Sequence, residues 1–187
     1  MVKQSNRERI AILGPGKVGT ALGHLLGKAG HEIVAVAGRS LESARRAAAY
    51  TGGTATTDFA RAAREAGCVL VTTSDDAIES VCRDVAAAGG FRAGSKAVHT
   101  SGVGGLDLLR AARRRGASVA CIHPLQTFDD VQSAIAKIPG STFGVTAGED
   151  ILPWADRLVE DLGGRPFHVS PEDKPLYHAA ACMASNY

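Results

Sequence analysis

Near the N-terminus, Gly14-Pro15-Gly16-Lys17-Val18-Gly19 places glycine at the first, third and sixth positions of a hexad. The apolar run Arg9–Leu13 leads straight into it, and an apolar-rich stretch, Val18–Ala29, follows. In a strand–turn–helix setting each glycine has its own task. Gly14 permits the tight turn, Gly16 leaves bare backbone for a diphosphate to touch, and Gly19 lets the helix approach the strand. N–H groups opening the helix then hold the phosphate charge. Pro15, Lys17 and Val18 complete that cradle. A purely structural turn is the competing reading, and the next feature weighs against it.

Glu32–Ala37 is a second apolar strand, and it ends at Gly38-Arg39-Ser40, about 20 residues past Gly19. Folds that prefer NAD place an acidic residue there for the ribose 2′-hydroxyl. No carboxylate stands at this position. Arg39 instead offers a planar fork of donors that matches phosphate oxygens, and Ser40 adds a hydroxyl at a helix start. The expected cofactor is therefore NADP, with NAD the weaker fit. A solvated Arg39 and a merely capping Ser40 form the bland alternative.

Three further strand ends carry polar residues: Thr72-Thr73-Ser74-Asp75-Asp76, His99-Thr100-Ser101-Gly102 and His123-Pro124-Leu125-Gln126. Ligands of open parallel sheets lie beyond the carboxyl ends of the strands. Thr73, Ser74, Asp75, Thr100 and Ser101 are thus candidates for the cofactor. Ser74, Asp75 and Ser101 also suit helix caps. His123, and less strongly His99, could handle protons near neutral pH.

The elements behind these loops alternate strand and helix. Strands are expected at Arg9–Leu13, Glu32–Ala37, Thr54–Thr56, Cys68–Thr73, Lys96–Thr100 and Ser118–Ile122. Helices are expected at Val18–Ala29, Leu41–Tyr50, Asp58–Ala66, Asp76–Ala88 and Leu106–Arg115. Near-continuous apolar strands separated by helices give an α/β fold with a doubly wound parallel sheet, the Rossmann NAD(P)-binding fold. Beyond Pro124 the pattern loosens, and Leu125–Gly140 has no assigned element. Short strands follow at Thr142–Thr146 and Pro166–Val169, around a helix near Leu152–Leu162. Ser170-Pro171-Glu172-Asp173 reads as a helix start, with the helix running on through Leu176–Tyr187. The expected domains are residues 1–169, dinucleotide-binding, and 170–187, the first helix of an all-α C-terminal domain that is cut short.

Composition excludes several classes. With 21 Lys and Arg against 19 Asp and Glu, the chain has no basic stripe for nucleic acid. The Arg110, Arg113, Arg114, Arg115 group suits the end of a helix. No apolar run reaches the ~20 residues of a membrane span. Four widely spaced cysteines show neither disulfide nor metal spacing, which fits a reducing, cytoplasmic setting. The expected partners are a small-molecule substrate and a second copy of the chain, since the Ala-rich last helix needs an apolar cover.

Taken together, the glycine hexad, His99-Thr100-Ser101-Gly102, His123-Pro124-Leu125-Gln126-Thr127-Phe128 and Lys174-Pro175-Leu176-Tyr177-His178-Ala179-Ala180 resemble Rossmann-like bacterial proteins that carry a C-terminal helical domain of unknown function. These are similar to the 6-phosphogluconate dehydrogenase-like superfamily of NADP oxidoreductases. The resemblance implies hydride transfer at a nicotinamide, with a second domain closing the substrate pocket and forming a dimer. In the β-hydroxyacid dehydrogenases of that superfamily, a Lys with an Asn four residues on supplies the proton. Here His178 stands four residues after Lys174, and Asn186 lies about 80° further round the helix. Lys174, His178, Asn186 and His123 are therefore the catalytic candidates. The implied activity is NADP-dependent oxidation or reduction of a small carbonyl, hydroxy-acid or imine. A non-catalytic NADP-binding module, or a sugar-nucleotide enzyme on the same fold, is the alternative.

Overall fold

The computed structural model of the protein describes residues 7–186, with side chains described as far as 183. Eight strands form one sheet: β1 (Arg9–Leu13), β2 (Glu32–Ala37), β3 (Thr54–Thr56), β4 (Cys68–Val71), β5 (Lys96–His99), β6 (Ser118–Pro124), β7 (Thr142–Ala147) and β8 (Arg165–His168). The helices are α1 (Lys17–Lys28), α2 (Leu41–Thr51), α3 (Phe59–Arg64), α4 (Asp75–Ala87), α5 (Arg110–Arg114), α6 (Val131–Lys137), α7 (Leu152–Asp161) and α8 (Lys174–Asn186). A 3-10 turn at Leu106–Leu109 leads into α5.

The strand order is β3-β2-β1-β4-β5-β6-β7-β8. Winding reverses between β1 and β4, and the ends of those strands open the crevice where ligands of this architecture bind. Strands β1, β2 and β4 are almost wholly apolar inside because helices cover both faces, whereas β3 is a partly exposed edge strand. One face buries Leu22, Leu26, Ile138, Trp154 and Leu158 from α1, α6 and α7. The other buries Ala62, Ile78, Cys82 and Ala112 from α3, α4 and α5. Small residues on that second face let its helices lie close to the strands.

Several expectations need correcting. The sheet is parallel except at β6 and β7, which pair antiparallel. Here α6 does not return the chain for a parallel crossover, so β7 runs back against β6. Helix α6 lies in the segment left unassigned, where the capping carboxylate of Asp130 accepts from the Ser133 amide. The last helix begins at Lys174 rather than beside Pro171. Ser170 instead closes a tight turn, accepting from the Asp173 amide and donating to the Asp173 carboxylate. Strand β4 stops at Val71, which frees Thr72 and Thr73 for the rim. Tyr187 lies outside the described residues.

Close approach of α1 to the sheet fixes the glycine loop. Gly14 holds φ +106°, and a Cβ there would stand 2.6 Å from the Thr73 amide nitrogen. A Cβ at Gly19 would run into the Thr72 side chain and the Gly14 carbonyl. Thr72 clasps the loop from β4, donating its hydroxyl to the Gly14 carbonyl at 2.8 Å. Gly19→Ala should therefore lower stability by about 1–3 kcal/mol, since the neighbour it meets is backbone. Urea unfolding measures this, and an unchanged midpoint would contradict the packing described.

Candidate active site at the carboxyl rim

The site is built from the ends of β1, β4, β5 and β6, closed on one side by α8. At its first part, Gly16 caps α1 with extended backbone and no side-chain bond, and no acidic residue stands in the first turn. A Cβ on Gly16 would meet no atom within 4 Å, so its lack of a side chain answers to nothing inside the protein. Pro15 packs against Gly38, which ties the hexad to the end of β2. Val18 turns inward against the core. Lys17 extends outward, with its ammonium 3.5 Å from the Phe128 carbonyl. At the end of β4, the Thr73 hydroxyl is buried without a partner.

Arg39 stands exposed beside a cleft of about 350 Å³, whose wall includes Thr57, Phe59, Val81 and Val85. Its guanidinium makes no ion pair or hydrogen bond with the described residues. Ser40 spends its hydroxyl on α2, where it accepts from the Ser43 amide. Bare helix N–H groups, an open Gly16, a partnerless Thr73 hydroxyl and an unpaired guanidinium together fit a dinucleotide with an extra phosphate. Among the described residues, no group of three or more His, Cys, Asp and Glu is placed to hold a metal ion.

The second part of the site is a buried polar cluster. Ser101 is its hub. Its hydroxyl donates to Asp75 at 2.8 Å and accepts from the Gly104 amide at 2.9 Å. Its carbonyl receives the Lys174 ammonium at 3.3 Å and the Cys121 thiol at 3.2 Å. Lys174 is only 2% exposed and also lies 3.0 Å from the Cys121 sulfur. Lys174 thereby pins the first turn of α8 to the ends of β5 and β6. Asp75, offered to the cofactor by the sequence, serves Ser101 here. Ser74 takes the N-cap position of α4 without a side-chain bond. Thr100 sits half-buried between two residues of this cluster.

With α8 docked this way, Tyr177 and His178 reach His123. The Tyr177 hydroxyl meets His123 Nδ1 at 2.9 Å. The His178 ring stands edge-on to His123, 6.4 Å between centroids, with its Nδ1 buried and unpartnered. Gly102 is the spacer for both rings. A Cβ there would lie 2.6 Å from His178 Nδ1 and 2.9 Å from His123 Nε2. The two rings line a cleft of about 810 Å³ together with Gln126, Thr142, Phe167 and Cys182. Asn186 falls at the end of α8, and its side chain lies outside those described.

Burial and charge set the protonation of this cluster. His123 is held down to about 4, first by burial, then by the charge of Lys174 and by His178. His99 is held at about 4 by the same first two causes. The expectation that these imidazoles titrate near neutrality is therefore corrected, because both are neutral across that range. His99 also has a fixed role. Its Nδ1 accepts from the Ser101 amide, so Nε2 carries the proton and donates to the Gly105 carbonyl at 3.2 Å. Burial pushes the Tyr177 phenol up to about 12 and raises the Cys121 thiol. Tyr177 and Cys121 were not singled out in the sequence. The three-residue spacing of Lys174 and Tyr177 could have found the first, whereas Cys121 sits in an apolar run that reads as plain core.

Among curated protein sequences, nothing matches the chain. Among solved structures, a Bacteroides fragilis protein assigned as an NADP oxidoreductase has 24% identity and a TM-score of 0.83, over 96% of this chain and 67% of that one. A Thermotoga maritima protein has 25% identity and a TM-score of 0.71, over 95% and 63%. Prephenate dehydrogenase from Aquifex aeolicus, in complex with hydroxyphenyl propionate and NAD+, has 18% identity and a TM-score of 0.76, over 92% and 63%. The chain thus spans about two thirds of the length of each. Among the described residues no helix is long and apolar enough to cross a membrane. Residues 141–187 match a domain of unknown function, DUF2520, and residues 2–124 match the Rossmann-like domain, so the chain belongs to the Rossmann-like family with that C-terminal domain.

Proposed function

We propose that the protein is an NADP-dependent oxidoreductase acting on a small carbonyl, hydroxy-acid or imine. The observation that carries this reading is the meeting of two sites on one rim: a phosphate cradle at Gly14–Gly19 and His123, bonded by Tyr177, on the wall of a cleft of about 810 Å³. The names of its solved structural relatives point the same way. Hydride chemistry needs both parts, a held dinucleotide and a group that handles one proton.

A bound nicotinamide supplies or accepts the hydride. The chain's own residues do the rest. Gly14, Gly16 and the opening of α1 grip the diphosphate, and Arg39 meets a phosphate on the adenosine ribose. Thr73, next to the Thr72 that clasps that loop, keeps a buried hydroxyl without a partner. Phe59 and Val81 offer apolar walls to the adenine. His123 exchanges a proton with the substrate through Nε2. Tyr177, at Nδ1, holds the ring in place and passes the proton on. Lys174, buried beneath, is a positioning residue that fixes α8. His178 packs edge-on to His123 and closes the near wall. We further propose that residues 170–187 open a helical domain whose apolar surface, including Leu176 and Met183, joins two copies of the chain.

Two outcomes check this reading. Arg39→Asp replaces a phosphate fork with a repelling carboxylate. It should weaken NADPH binding about tenfold or more and leave NADH binding nearly as it was. Calorimetry with both nucleotides reads the difference, and equal loss for the two would remove Arg39 from the cofactor site. The second outcome concerns pH. The base form of His123 exists above its lowered value of about 4, not above the ordinary 6.5. Hence kcat/KM for alcohol oxidation should stay level from pH 7 down to about 5 and fall only below that. Tyr177→Phe should cut kcat about tenfold to a hundredfold while NADPH still binds. A falling limb centred near 6.5, or an unaltered Tyr177→Phe enzyme, would contradict the proton route.

A further inference from the structure

The charges around the cleft select between the substrate chemistries left open above. Among the described residues ten line it, and none is Asp, Glu, Lys or Arg. Its polar groups are the imidazoles of His123 and His178, the amide of Gln126 and the hydroxyls of Thr127 and Thr142. Its apolar wall comes from Pro124, Leu125, Phe167 and Ala181. Lys137 reaches the carbonyl of Thr127 on the wall at 3.5 Å and also pairs with Asp129, while the Lys174 ammonium is buried against the Ser101 carbonyl and the Cys121 sulfur. One carboxylate, Asp75, belongs to the cluster, and it is already engaged by the Ser101 hydroxyl. No carboxylate lines the cleft among the described residues, so a cation there has no partner on the wall.

Carbonyl and imine reductions differ in the charge they develop. Hydride addition to a carbonyl carbon breaks the C=O π bond and leaves the electron pair on oxygen, which then takes one proton. Reduced nicotinamide, one proton and a ketone become oxidised nicotinamide and an alcohol. An imine must first take its proton to become a cationic iminium, and hydride addition then discharges it. A wall without a carboxylate leaves the iminium unpaired, whereas the ammonium buried behind Ser101 and Cys121 favours the developing alkoxide. The proton for the alkoxide is at hand. With Tyr177 donating to Nδ1, the proton of the neutral His123 ring sits on Nε2. As it leaves for the substrate oxygen, the Tyr177 proton moves to Nδ1, and the phenolate recovers a proton from water.

We infer that this site works on carbonyl and alcohol substrates with an apolar body, and that it discriminates against imines and amines. The inference rests on the oxidoreductase reading and narrows it. Uncharged ketones and keto acids both suit the cleft, whereas a cation finds no carboxylate on its wall to pair with.

The test has two arms on the purified full chain. The first follows NADPH consumption with acetophenone, phenylpyruvate and a phenyl-substituted pyrroline at equal concentrations. One of the two carbonyl compounds should exceed the pyrroline by about tenfold or more in kcat/KM. In Gln126→Glu, which sets a carboxylate on the cleft wall, that preference should shrink. The second arm measures binding of phenylethanol against protonated phenylethylamine by calorimetry with NADP+ present, and the alcohol should bind more tightly. Faster turnover of the pyrroline, or tighter binding of the amine, would overturn the inference and leave the oxidoreductase reading standing. If NADPH binds but none of the three is turned over, hydride transfer itself is in doubt, and the binding arm alone decides the charge preference.

Discussion

A buried lysine organises this molecule. The Lys174 ammonium lies under the ends of β5 and β6, shared between the Ser101 carbonyl and the Cys121 sulfur. An ammonium taken out of water is costly unless its donors are used, so its position dictates where the first turn of α8 must rest. That placement carries Tyr177 onto His123 and His178 onto Gly102. It also keeps two imidazoles neutral, because burial already disfavours their charge and Lys174 adds to it. Docking and electrostatics thus come from one contact.

The other half of the rim depends on absence of bulk rather than on charge. Thr72 reaches from β4 to clasp the Gly14 carbonyl, and α1 approaches so closely that Gly19 admits no side chain. Gly16 is different, because nothing in the protein forbids a methyl group there. Its bareness makes sense only toward something outside the chain, which is the role a diphosphate would fill. The Ser101 hub borders this half through Asp75 at the start of α4. A change at either half is therefore felt along the same strand ends.

Much of the scaffold was legible from the residues. Apolar runs such as Cys68-Val69-Leu70-Val71 can only be central strands covered on both faces, and the glycine hexad located the switch point. Ser40 at the start of α2 was legible as a cap. The reversal at β7 was hidden, because strand direction is set by which neighbour it meets and not by its own pattern. Helix α6 was obscured by a short mixed segment with a single good cap. The rim loops were found, but the roles inside them were not separable. Asp75 and Ser101 bond each other, and their types alone fit a cap or a cofactor equally well. The Lys174–His178 spacing is one helical turn and puts both on one face of α8, while the contact with Cys121 needed the docked helix. Neutral histidines were likewise beyond the sequence, since burial and a lysine distant in the chain cause them.

The claim that Lys174 holds the cluster can be tested directly by nitrogen NMR of the imidazoles during an acid titration. His123 should keep a neutral ring to well below pH 6 in the native protein, and Lys174→Met should raise its midpoint, because a positive neighbour has gone. A native midpoint at the ordinary 6.5, unchanged by the substitution, would contradict the account.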